Sequence, residues 1–85
     1  MNFKLSRHVK EEIERRSIPL FLLESVLDNP QQVLSERGGK KAYQSQLDFG
    51  GKIFLLRVIV DETVDPAVVV TVYRTSKINK YWRTT

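Results

Sequence analysis

The sequence predicts an α+β domain in which two N-terminal helices pack on one face of a four-stranded antiparallel sheet. Three observations point there. Apolar residues recur with a helical period as far as Asn29-Pro30. Beyond that point they alternate with a period of two. The glycine pairs Gly38-Gly39 and Gly50-Gly51 then separate successive alternating runs, as hairpin turns do.

The first helix starts at Ser6, whose hydroxyl can accept from a free first-turn N–H, and runs to about Arg16. Leu5, Val9 and Ile13 give it a narrow apolar stripe, and Glu12 and Arg16 stand one turn apart as a helix-surface pair. Pro19 suits the first turn of the second helix, which extends to Asp28. Leu20, Leu22, Leu23, Val26 and Leu27 cover much of its circumference, making it the main core helix. Asn29-Pro30 stops it, because a residue before proline disfavours the helical region. The strands are expected at 32–36, 41–48, 52–61 and 67–75. Residues 76–83 are left open between a short helix and an extended tail, and a short extra strand at 2–4 fits the pattern.

The two longest strands define two faces. Phe54, Leu56, Val58 and Val60 share one, and Val68, Val70 and Val72 are expected to join them as the floor beneath the helices. The opposite face then carries Ile53, Leu55, Arg57, Ile59, Val69, Thr71, Tyr73 and Thr75. A register with Val58 opposite Val70 would set Arg57 opposite Thr71 and Leu55 opposite Tyr73. A guanidinium, a hydroxyl and a phenol would thus gather on a mostly apolar surface. An ordinary solvated strand face would have much the same composition.

At 85 residues the chain is one domain, residues 1–85, whose folding buries roughly 60–65% of its surface. It has no cysteine, which removes disulfides and thiolate metal sites. No apolar run is long enough to span a bilayer and the first residues do not read as a signal peptide, so a cytoplasmic protein is expected. The net charge of +4 and a pI near 9.6 suit an anionic partner. The charge is also segregated. Arg74, Lys77, Lys80 and Arg83 lie in an acid-free tail, and Arg37, Lys40 and Lys41 surround Gly38-Gly39. That glycine turn lacks the spacing of a phosphate-binding loop. One histidine, no cysteine and scattered acids argue against a metal site, and no cofactor is implied. His8, the lone histidine, falls at the edge of the first helix's apolar stripe, between core and solvent.

The order of residues resembles a known family. Leu5-Ser6-Arg7-His8 opens a helix, Arg16 precedes Ser17-Ile18-Pro19, and Asn29-Pro30 closes the second helix. Val70-Thr71-Val72-Tyr73-Arg74-Thr75 forms the last strand, followed by Ser76-Lys77-Ile78-Asn79-Lys80-Tyr81-Trp82. This set is similar to the domain of unknown function family 4258, which looks like a relative of RelE-type and BrnT-type toxins within the metal-independent ribonucleases. The resemblance implies a RelE-like fold, an RNA-cleaving activity and a cognate antitoxin protein as partner. It carries the family's helix-start histidine onto His8, its terminal-strand Thr-x-Tyr onto Thr71 and Tyr73, and the following basic residue onto Arg74. Arg57 matches a basic position in the penultimate strand.

RNA supplies its own nucleophile, the 2′-OH, so such an enzyme needs only a base, an acid and cationic stabilisation. His8 titrates near neutrality and is the expected base or acid. Arg57 or Arg74 would steady charge on the phosphoryl oxygens, and Tyr73 would orient the phosphate or share proton transfer. Arg37, Lys40, Lys41, Lys77 and Lys80 would hold the RNA backbone. The competing expectation is a non-catalytic module that binds nucleic acid or protein through the same groups. His8 and Tyr73 meet only if the first helix sits at the edge of the sheet.

Overall fold

The computed structural model describes residues 2–84. Its elements run β1 (Phe3–Leu5), α1 (Arg7–Arg15), α2 (Leu20–Asp28), β2 (Gln32–Ser35), β3 (Lys40–Phe49), β4 (Lys52–Asp61), β5 (Ala67–Thr75) and α3 (Ile78–Tyr81). The α+β class is as expected, but the sheet has five strands in the order β1-β5-β4-β3-β2 and is mixed. A sheet of four antiparallel strands is therefore corrected: the short extra strand that fitted residues 2–4 is β1, which joins the edge in parallel with β5, pairing Leu5 with Val69.

Local chemistry explains the helices. The Ser6 hydroxyl accepts from the Val9 N–H at 3.1 Å and caps α1. Glu12 accepts from Arg16 Nε at 2.7 Å and also meets Arg15, and its carboxylate is buried rather than lying on the surface. Ser17 takes a left-handed φ of 53°, which turns the chain so that Ile18 plugs the core. Pro19 is the N-cap of α2, its carbonyl accepting from Leu22 at 3.0 Å. Leu23, Val26 and Leu27 face inward, whereas Leu20 and Phe21 are exposed, so α2 buries one face and not most of its circumference.

Gly50 and Gly51 both have positive φ, at 62° and 90°, as a two-residue hairpin turn requires. That turn fixes Phe49 opposite Lys52 and carries the β3–β4 ladder to Lys40 opposite Asp61. The core lies between the sheet and α1 and α2, and contains Val9, Leu23, Val26, Leu56, Val58, Val60, Val69 and Val72. Each buried Leu contributes roughly 1.5–3 kcal/mol.

The expected Val68, Val70 and Val72 face is broken by a bulge. β4 and β5 pair Ile59 with Thr71 but Val60 with Val69, so Val70 is an extra residue on β5. The insertion moves Val69 into the core beside Val72. It also shifts the register: Val58 pairs with Val72, and Arg57 with Tyr73 instead of Thr71.

Candidate functional site

The face away from α1 and α2 is covered by the C-terminal segment. α3 folds back beneath the sheet, and residues 81–83 tie it down. The Gln44 side-chain amide donates to the Tyr81 carbonyl at 3.3 Å, Gln32 donates to the Arg83 carbonyl at 2.6 Å, and the Arg83 N–H donates to Gln32 at 3.2 Å. The open question of helix or tail thus resolves as one helical turn followed by an extended strap.

Beneath the strap lies Arg57, only 3% exposed. A buried guanidinium must have its donors matched. Its Nε donates to Gln44 at 2.9 Å, one terminal nitrogen donates to the Tyr73 hydroxyl at 2.6 Å, and the other meets the Glu36 carboxylate at 3.1 Å. The Tyr81 ring closes the remaining side, its centroid 4.3 Å from the guanidinium carbon. Tyr73 and Tyr81 meet edge to face at 6.2 Å between centroids. Three strands, the residue that follows β2 and the strap thus converge on one cation.

This setting pushes the two phenols apart. Burial raises Tyr73 above the ordinary phenol range, with Arg57 opposing it. Hydrogen bonding with Tyr73 lowers Tyr81, against the effect of burial and with help from Lys80 and Arg57. A phenol that ionises more readily therefore stands beside one that ionises less readily, over a fixed positive charge. Such a pair can accept one proton and release another.

The other expected residues do not all gather here. Thr71 shares the Arg57 face, one step along β5 opposite Ile59, but is outside the hydrogen-bonded cluster. Arg74 pairs with Leu56 and so points to the helix side. Its guanidinium carbon lies 4.7 Å from the Phe49 ring and 5.3 Å from Phe54. His8 is exposed on α1. α1 packs on the core face through Val9, whereas Tyr73 lies on the opposite face of the sheet with Arg57.

The basic residues also divide. Arg37 follows Glu36 and is exposed, while Lys40 is partly covered on the Arg57 side of β3. Lys77 and Lys80 are exposed on the strap side, with Lys80 Nζ 5.3 Å from the Tyr81 ring. Lys41 faces the helix side and pairs with Glu62 at 3.3 Å. Among the described residues no group of three His, Cys, Asp or Glu could hold a metal, no enclosed pocket is found, and no helix is long and apolar enough to cross a membrane.

Glu36, Gln44 and Tyr81 were missed in the sequence. Gln44 was within reach: a two-residue Gly50-Gly51 turn places Gln44 opposite Arg57 by counting back along both strands. Glu36 and Tyr81 arrive from a turn and a tail, and no periodicity could have found them.

No curated protein and no solved structure gave a match to this chain. One family did match, over residues 5–74, and its description is a domain of unknown function. The matched stretch includes Glu36, Gln44, Arg57 and Tyr73 and ends before Tyr81. The chain belongs to that family, DUF4258.

Proposed function

We propose that this domain is a toxin-like, metal-independent endoribonuclease with RelE-type and BrnT-type relatives and a RelE-like fold. It cuts RNA in the cytoplasm by attack of a 2′-OH on the adjacent phosphate, and a cognate antitoxin protein restrains it. The observation that carries this reading is the Tyr73–Tyr81 pair held edge to face at 6.2 Å over Arg57, which donates to the Tyr73 hydroxyl at 2.6 Å and lies 4.3 Å from the Tyr81 ring.

The chemistry needs two proton transfers and one charge clamp. Tyr81, as its phenolate, takes the 2′-OH proton as the 2′ oxygen bonds to phosphorus. The bond from phosphorus to the 5′ oxygen breaks, and Tyr73 protonates the leaving oxygen. The products are a 2′,3′-cyclic phosphate and a 5′-OH end. A proton passing from the Tyr81 phenol to the Tyr73 phenolate returns both groups to their starting forms. Arg57 is a positioning residue: buried and fully engaged, it orients Tyr73 and favours the ionised form of Tyr81. Lys77, Lys80 and Arg37, exposed on the surface, supply backbone phosphate contacts. His8 and Arg74, on the helix side, take no part in proton transfer.

The test is incubation of the pure protein with RNA in EDTA, followed by mapping of product ends. Cyclic phosphate ends are expected; intact RNA, or 3′-OH ends, would sink the proposal. The second reading is a non-catalytic RNA-binding module. It is favoured by the 3% exposure of Arg57, which leaves that cation no free donor edge for a phosphate. Salt-sensitive RNA binding without scission would select it.

A further inference from the structure

Besides the exposed Phe21, two phenylalanines of the sheet are left out of the core. Phe49 and Phe54 flank the Gly50-Gly51 turn on the helix side of the sheet, and their rings meet edge to face at 5.8 Å. Neither belongs to the buried cluster nor to the partly buried residues packed against it. Both are partly exposed. Cations occupy the space that core side chains would take. Arg74 lies over both rings, and Lys52 Nζ is 5.3 Å from the Phe54 centroid.

The contrast between the two arginines is informative. Arg57 gives its donors to Gln44, Tyr73 and Glu36. Among the described residues Arg74 takes part in no salt bridge. Its guanidinium carbon lies within 4.7 Å of the Phe49 centroid and 5.3 Å of the Phe54 centroid, a cation–π contact that leaves its N–H groups for another partner. An unneutralised fork beside a second cation is suited to a bidentate phosphate contact. The exposed ring faces and the guanidinium plane can stack a base.

We propose that Phe49, Phe54, Arg74 and Lys52 form a binding site for single-stranded RNA, separate from the Tyr73–Tyr81 pair and on the opposite face of the sheet. A base stacks on the Phe49–Phe54 surface, and the neighbouring phosphate sits between Arg74 and Lys52. Only the choice of RNA as ligand rests on the function proposed above; the site itself requires no cleavage. Charge decides between occupants: a base linked to phosphate satisfies both cations and both rings, whereas an apolar peptide leaves two charges unmatched.

The test is fluorescence anisotropy with a labelled single-stranded oligouridylate in EDTA, as a function of salt. Phe49→Leu, Phe54→Leu, Arg74→Gln and Lys52→Gln are each expected to weaken binding roughly five- to tenfold. Arg74→Lys keeps the charge without the fork and should recover part of the loss. Arg74→Gln and Lys52→Gln should each lower the salt slope by about one, a change that a purely structural role would not produce. Melting curves exclude unfolding, and Lys52→Gln, at an exposed turn, serves if an aromatic variant is unstable. Wild-type affinity and slope in the folded variants, or no RNA binding by the parent protein, would overturn the site. Cleavage scored in parallel separates the two proposals. Scission with unaltered binding in these variants removes this site alone, whereas weakened binding without scission in the parent supports it and removes the nuclease.

Discussion

The Tyr81 ring lies 4.3 Å from the Arg57 guanidinium, although the two residues belong to a terminal strap and a central strand. This contact closes the face of the sheet opposite the helices. It also places a lowered phenol over a cation that the surrounding strands hold still. Its consequences for stability and for chemistry are separable.

Removing Arg57 should be costly. Arg57→Gln leaves Glu36 and Tyr73 without their charged partner and is expected to destabilise the fold by roughly 2–4 kcal/mol. Glu36→Gln keeps a hydrogen-bond acceptor at a partly exposed position and should cost less than about 1.5 kcal/mol. Urea unfolding of the two variants checks the order; equal losses would contradict it.

Tyr81 separates packing from chemistry. Tyr81→Phe keeps the ring over Arg57 and should unfold within about 0.5 kcal/mol of the parent. Tyr81→Ala removes the stack and loosens the strap, at a cost of roughly 1–2 kcal/mol. Hydrogen exchange should show the Ala variant exposing the backbone at 80–84 first.

The strand alternation and glycine turns made the sheet's main body legible, and Ser6 and Pro30 marked helix boundaries. The extra residue Val70 was not legible, because one valine among three gives no sign of which is unpaired. The resulting register error put Thr71 where Tyr73 belongs, though both residues were still assigned to the correct face. The narrow stripe on α1 did not say which elements His8 would face; packing through Val9 puts α1 on the core face. Arg74 was grouped with Tyr73 by the family resemblance and as part of the basic tail, although adjacent strand residues point to opposite faces.

The rate of RNA cleavage should follow phenol titration. With Tyr81 lowered and acting as base, activity rises with pH below the ordinary phenol value near 10. With Tyr73 raised and acting as acid, it falls again only above that value. A profile of cleavage against pH without a rise below that value would contradict this assignment.

A second tyrosine predicts alkaline behaviour of the fold. Burial, with hydrogen bonding and charge from Glu62, raises Tyr43 to about 12. The folded state therefore holds this proton more tightly than the unfolded chain. The associated stability is fully present below pH 10 and is lost as pH rises toward about 12. Tyr43→Phe should flatten that part of the curve of melting temperature against pH.

The central claim is that Tyr73 and Tyr81 carry proton transfer while His8 does not. Initial rates of RNA cleavage in EDTA, measured for Tyr81→Phe, Tyr73→Phe and His8→Ala, test it most directly. The tyrosine variants should each fall by about 10²–10⁴-fold with the fold intact, and His8→Ala should keep the parent rate. Loss of activity in His8→Ala with both tyrosine variants fully active would contradict the account.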